Sequence, residues 1–429
     1  MNYNIENEQI RIYEQLKNVN YLNMKNINIL FWGILMVIFS CTASNNEEPL
    51  VNQDTDKAQV PEILESVNLS TKIDQTIFSP EYITPLYLPN NKLLLFGSTP
   101  LAISSLFNYD LQNNSIEKWD EVLYSDLRYS TKALVGNNLI IISRYEEIVT
   151  VSLDQMKTVQ KTPIKTASNE FANISNLVYY KNYEKDTINI IQHNTSTQKS
   201  DVVHKITRES EIGLNPNFQF SIYQIDDNET GICVINKYSD KKYYLENINI
   251  TKGEKIWIKE LDEFQTEIGQ IPIQTLISEN KVYILSDNFI SCREIQDGRR
   301  IWQKSKTINE SLSPVKIFQG KLINVTSEKL EAYDCQNGNL IWELKEYGGD
   351  GFGIGWSPYV NLTNYEDYLF LNHHPININT GELLWAKEPE LDWDTFDYHY
   401  AQPAVDLNNK FIYIITNNIL YKLKLPEIK

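Results

Sequence analysis

Short apolar runs alternate with turn residues along most of the chain. KVYILS at 281, KLINVT at 321 and DYLFLN at 367 are each followed by a turn, a second strand, a glycine-centred turn and a strand carrying tryptophan. Short strands joined by Gly/Asn turns at this spacing predict antiparallel meanders, since parallel units would need helical crossovers between them. No long stretch outside the leader carries a helical period, so an all-β body is expected.

Four segments align without gaps: ITKGEKIWIKEL at 250, IQDGRRIWQKSK at 295, CQNGNLIWELKE at 335 and INTGELLWAKEP at 378. Each places glycine four residues before tryptophan, as Gly253/Trp257, Gly298/Trp302, Gly338/Trp342 and Gly381/Trp385. The tryptophans recur about every 43 residues, a period that signals a repeat architecture. DLQNNSIEKW is a degenerate copy ending at Trp119, with Ser115 in the glycine position. Two copies lacking the tryptophan are expected between Trp119 and Trp257, around 136–160 and from Thr187. Glycine supplies the positive φ of a tight turn, and tryptophan on a strand is expected to cement neighbouring sheets.

The G-x-x-x-W pattern, preceded by a strand ending in Asp334 or Asn377, resembles the PQQ-like β-propeller repeat. That repeat occurs in quinoprotein dehydrogenases and in BamB, the lipoprotein subunit of the outer-membrane β-barrel assembly machine. The resemblance covers about 75–425 and is strongest over 230–390. It implies a single β-propeller, over 61–429, of four-stranded antiparallel blades around a central channel. Outer strands are expected to end near Trp119, Met156, Lys199, Trp257, Trp302, Trp342 and Trp385, which makes seven. The strands at 404, 411 and 419 lack an outer strand, and ILESVNLS at 63 can supply it. Eight blades closed by the N- and C-terminal strands are therefore expected, with seven as the alternative.

The first sixty residues read as an address. Ile27–Phe39 is an apolar run of 13 residues after Lys25, too short to span a membrane comfortably but suited to a secretory signal. Ile38-Phe39-Ser40-Cys41 resembles a bacterial lipobox, which implies that the Cys41 thiol carries a lipid. The expected organisation is a start-site extension over 1–23, a lipoprotein signal over 24–40 with translation beginning at Met24, and a polar tether over 41–60. The implied location is the outer membrane, on its periplasmic or its cell-surface face.

Composition narrows the partners. A formal charge of −17 argues against nucleic acid, which demands a basic footprint. Cys233, Cys292 and Cys335 remain once Cys41 is lipidated; their odd number and wide spacing suggest buried core thiols. Resemblance to the dehydrogenases would imply a vicinal cysteine pair beneath the quinone, and no adjacent cysteines exist, so neither that cofactor nor a metal is expected. Nucleophile-elbow and H-E-x-x-H motifs are also absent from the sequence.

One constellation is a candidate ligand-binding rim. In a blade, the turn between the second and third strands opens on the same face as the connector to the next blade. His373 and His374 fall in such a turn, while GGDGFGIGW and LDWDTFDYHY are connectors. Together they gather Asp350, Trp356, His373, His374, Trp393, Asp394, Asp397 and His399. Polar aromatic loops on a rigid scaffold are common places for binding. The expected function is a non-catalytic, membrane-anchored scaffold for an envelope or outer-membrane protein partner. A surface lipoprotein that binds a small ligand or glycan is the alternative, and a quinone-dependent dehydrogenase comes third.

Overall fold

The computed structural model describes residues 58–72, 85–98, 104–118, 131–163, 167–207, 220–262, 272–305, 315–345, 362–392 and 402–428, apart from 89–90, 136–137, 143–146, 156, 185–186, 238–241, 287–288, 326–328 and 388. All of them fall within one unit, Asp54–Lys429. Among them, thirty-one strands form eight antiparallel sheets, and a single helical turn spans Leu69–Thr71. No helix among the described residues is long and apolar enough to cross a membrane.

The sheets are the blades of a propeller. In chain order they are blade 1 (86–118), blade 2 (131–163), blade 3 (167–207), blade 4 (221–260), blade 5 (272–305), blade 6 (315–345), blade 7 (362–377) and blade 8 (404–424 with 63–68). Each runs from an inner strand outwards, and inner strands of adjacent blades lie beside one another from blade 2 to blade 6 and again between blades 8 and 1. The eight-blade count expected from the repeat is the one observed. So is the closure: Ile63–Asn68 pairs antiparallel with Ile419–Lys424 as the outer strand of blade 8.

Burial explains why the middle strands read as continuous apolar runs. Lys281–Ser286 is buried at every position because both faces of its blade are covered by neighbours. Outer strands such as Glu254–Glu260 are largely exposed. The core is accordingly a ring of interfaces between blades. Tyr283, Leu285, Cys292 and Trp302 of blade 5 meet Val315, Leu322 and Cys335 of blade 6, and comparable clusters join blades 6 to 7, 7 to 8 and 8 to 1. Cys233, Cys292 and Cys335 are buried free thiols, as their spacing suggested. Burial pushes the Cys292 thiol up to about 12.

Three details differ from the sequence reading. The outer strands of blades 2 and 3 are Lys157–Pro163 and Lys199–Thr207, so blade 2's outer strand ends at Pro163, and Lys199 begins its strand where an end was expected; Met156 itself lies outside the described residues. In blade 1 the left-handed turn residue is Asn114 (φ 50), while Ser115 already starts the outer strand. Asparagine tolerates this conformation better than most residues, which hides the turn from a search for glycine. Finally, blade 7 has three strands, and its outer segment is reduced to a bridge between Ile376 and Leu383. Pro375 causes this. It occupies the ladder position of Cys292 and Ala332, which pair with Trp302 and Trp342, and it has no N–H to give.

Candidate functional site

The repeat residues form a lock between blades. In blades 6 and 7 the third strand ends in an Asx residue whose side chain caps the following turn: Asp334 Oδ1 accepts from Gln336 N at 2.6 Å and Asn377 Oδ1 from Asn379 N at 2.9 Å. Four residues after this position the chain turns left-handed, with φ +72 at Gly298, +71 at Gly338 and +75 at Gly381. The tryptophan of the preceding blade lies on each of these glycines. A Cβ on Gly298, Gly338 or Gly381 would approach the ring of Trp257, Trp302 or Trp342 to 2.9, 2.7 or 2.5 Å.

The indole N–H completes the lock. Trp257 donates to the Ile295 carbonyl at 2.8 Å, Trp302 to Cys335 at 3.3 Å and Trp342 to Ile378 at 2.9 Å, always in the next blade. Trp385 is buried between blades 7 and 8. These tryptophans are therefore interblade cement, and the indole N–H groups of Trp257, Trp302 and Trp342 are consumed internally.

Of the rim set, Asp350, Trp356, Trp393, Asp394, Asp397 and His399 lie outside the described residues, as do Cys41 and Trp119. His373 and His374 are described and lie where the second strand of blade 7 turns into the third. Both are buried, at 0% and 7% exposure, and their rings sit 4.0 Å apart. Burial, reinforced by the neighbouring His373, holds His374 well below the ordinary histidine range, so it is neutral at physiological pH. Among the described residues no group of three or more His, Cys, Asp or Glu side chains is placed to hold a metal ion.

Sequence reasoning missed two polar clusters at equivalent places in blades 4 and 6. Glu246 and Glu331 each stand three residues before the capping Asn249 or Asp334, and both are buried. Lys255 bonds Glu246 at 2.7 Å, and Asn236 donates to its other oxygen at 2.7 Å. Lys329 meets Glu331 at 2.6 Å and Glu343 at 3.4 Å, while Asn324 donates to Glu331 at 2.9 Å. Burial alone would lower the Lys329 ammonium, but the two carboxylates outweigh it and hold it above its ordinary value. The visible signal was a glutamate inside an apolar third strand, in YYLENIN and KLEAYD. These charges are compensated in place, an arrangement suited to holding strands together.

Buried and half-buried histidines make stability depend on pH. His193, His204 and His374 are each held below the ordinary 6.5, with burial the leading cause. Their folded values lie below the unfolded ones, so the unfolded chain takes up more protons as pH falls. The contribution is complete above about pH 6.5 and shrinks as pH drops through it. The expected result is a lower Tm at pH 5.5 than at pH 7.5 by scanning calorimetry. Asp110 and Asp406 are held below their ordinary 3.8, so their effect belongs to a separate, more acidic window.

Residues 240–351, from the third strand of blade 4 through blade 6, match the family model of outer membrane protein assembly factor BamB. This stretch holds three of the Gly/Trp pairs and so carries the PQQ-like repeat. No curated protein matches the chain in sequence. Among solved structures, Sqt1 from Saccharomyces cerevisiae is 10% identical with a TM-score of 0.55, over 86% of this chain and 100% of that one. The computationally designed protein Ika8 is 11% identical with a TM-score of 0.53, over 85% of this chain and 99% of that one. BamB from Moraxella catarrhalis is 10% identical with a TM-score of 0.49, over 85% of this chain and 100% of that one. At such identities the likeness to Sqt1 and Ika8 shows the fold alone.

Proposed function

We propose that this chain is a non-catalytic scaffold of the bacterial envelope, anchored through Cys41, that binds protein partners in outer-membrane protein assembly. The observation that carries this reading is the match of blades 4 to 6 to the BamB family model. Two physical features support it. A ring locked by buried tryptophans is a rigid frame on which loops can specify a partner without reshaping the body. The short apolar leader ending at Ser40-Cys41 suits a lipid tether that would bring an acidic protein to a membrane its charge alone would not favour.

The experiment is a crosslinking pull-down from membranes with the tagged full chain. Components of the β-barrel assembly machine are expected in the eluate. Recovery of a different envelope protein in their place would overturn the assembly role. The anchor has its own readout, since Cys41→Ala is expected to move the chain from the membrane fraction to the soluble one. If protease added to intact cells removes the propeller, the periplasmic assembly role fails and the surface-exposed, ligand- or glycan-binding alternative takes its place.

A further inference from the structure

Glycine at the left-handed turn position follows a rule within this chain. Gly298, Gly338 and Gly381 each face a tryptophan from the preceding blade, and a Cβ there would strike the ring. Where blade 2 or blade 8 precedes and its outer strand carries no tryptophan, the position is Gln198 (φ 62) or Asn114 (φ 50). The turn itself therefore does not demand glycine. Gly253 breaks the rule. Blade 3 brings no tryptophan to it, yet glycine is kept, at φ +71, and a Cβ there would meet nothing within 4 Å.

The rest of the slot is in place. The Ile250 carbonyl occupies the position of the Ile295, Cys335 and Ile378 carbonyls that accept indole N–H groups in the next three interfaces. In register, the residue standing where blade 5 has its tryptophan is Asp201: Gln192 pairs with Asp201 as Cys292 pairs with Trp302. Asp201 is exposed, and Val203 beside it packs into the apolar interface between blades 3 and 4. An exposed aspartate at that register position, in a chain of formal charge −17, complements a cationic visitor.

We propose that the outer notch between blades 3 and 4 is a docking slot for a tryptophan side chain on a basic segment of a protein partner. The partner's indole would lie on Gly253 and donate to Ile250, as the chain's own tryptophans do at the next three interfaces. This inference stands on the blade geometry and holds wherever the protein resides in the cell.

The test is an amide NMR titration of the full chain with the peptide Ac-Lys-Trp-Lys-NH2. Saturable shifts centred on Ile250 to Gly253 are expected, and Ac-Lys-Leu-Lys-NH2 should bind at least tenfold more weakly. Asp201→Trp is expected to seat its own indole in the slot, raising Tm and weakening the peptide at least tenfold. Gly253→Ala should weaken binding similarly while the circular dichroism of the fold is kept. Shifts centred elsewhere, equal binding of the leucine peptide, or affinity untouched by both substitutions would overturn the proposal.

Discussion

Gly338→Ala is expected to destabilise the protein by about 3 kcal/mol, against about 1 kcal/mol for Gly253→Ala. Both glycines adopt φ +71, so both variants bear the roughly 1 kcal/mol cost of a left-handed alanine. They differ in what the new methyl meets. At Gly338 it would come within 2.7 Å of Trp302 Cδ2 and Cε3, which belong to a rigid ring. That ring cannot slide away without loss. Its Nε1 is tied to the Cys335 carbonyl at 3.3 Å, and Tyr283 leans on it with centroids 6.0 Å apart. Overpacking of this kind adds about 1–3 kcal/mol. At Gly253 the methyl enters open space. Denaturant titration of both variants separates the two effects. In a Trp302→Ala background, itself expected to cost about 3–5 kcal/mol, the Gly338→Ala penalty should fall to the turn cost alone. Equal penalties in both backgrounds would mean that the Trp302–Gly338 contact does not join the blades.

The lock also marks how far the sequence could be read. Gly and Trp four residues apart revealed the repeat, its period and the core role of the tryptophans, because large aromatics and positive-φ glycines have few other uses at a fixed spacing. They did not reveal which tryptophan meets which glycine. The pair lies within one strand-turn unit in the sequence, but the contact joins Trp302 to Gly338 in the next blade. Blades 1 to 3 were harder. Asn114 and Gln198 provide the same turn without glycine, so the boundaries of their outer strands shifted in the reading. The polar partners of Glu246 and Glu331 were illegible for another reason. Asn236 and Asn324 come from the second strand, and only the fold brings them alongside. Histidines 373 and 374 show the limit for sites: His373 lies in the turn while His374 already opens the third strand, and the burial that keeps His374 neutral depends on packing around blade 7.

Removing residues 58–72 from the chain is expected to abolish the cooperative unfolding transition, a loss above about 5 kcal/mol and comparable to the whole stability of many domains. The segment acts at two edges. Gln59 first pairs in parallel with Trp385, accepting from Ala386 N and donating to Leu384 O at 2.9 Å each, so that it lines the reduced outer side of blade 7. Its side chain then grips the C-terminus, donating to the Glu427 carbonyl at 2.7 Å and accepting from the Glu427 amide at 3.2 Å. Residues 63–68 go on to complete blade 8, and Leu69, fully buried, plugs the interface with blade 1. There Tyr87 of blade 1 stacks on Tyr413 of blade 8, with centroids 6.1 Å apart. Without the segment, Ile419–Lys424 becomes an open edge strand, a template for pairing between molecules, and aggregation should follow. Gln59→Ala offers a milder version, losing only the two side-chain bonds, about 1 kcal/mol each at most. The decisive measurement is complementation: a peptide of residues 58–72 added to the truncated chain should restore a cooperative transition. Loops cost little to close by comparison, whereas a ring missing one outer strand loses two interfaces at once. A truncated chain that melts cooperatively at the full-length Tm would mean that the other seven blades hold the circle unaided.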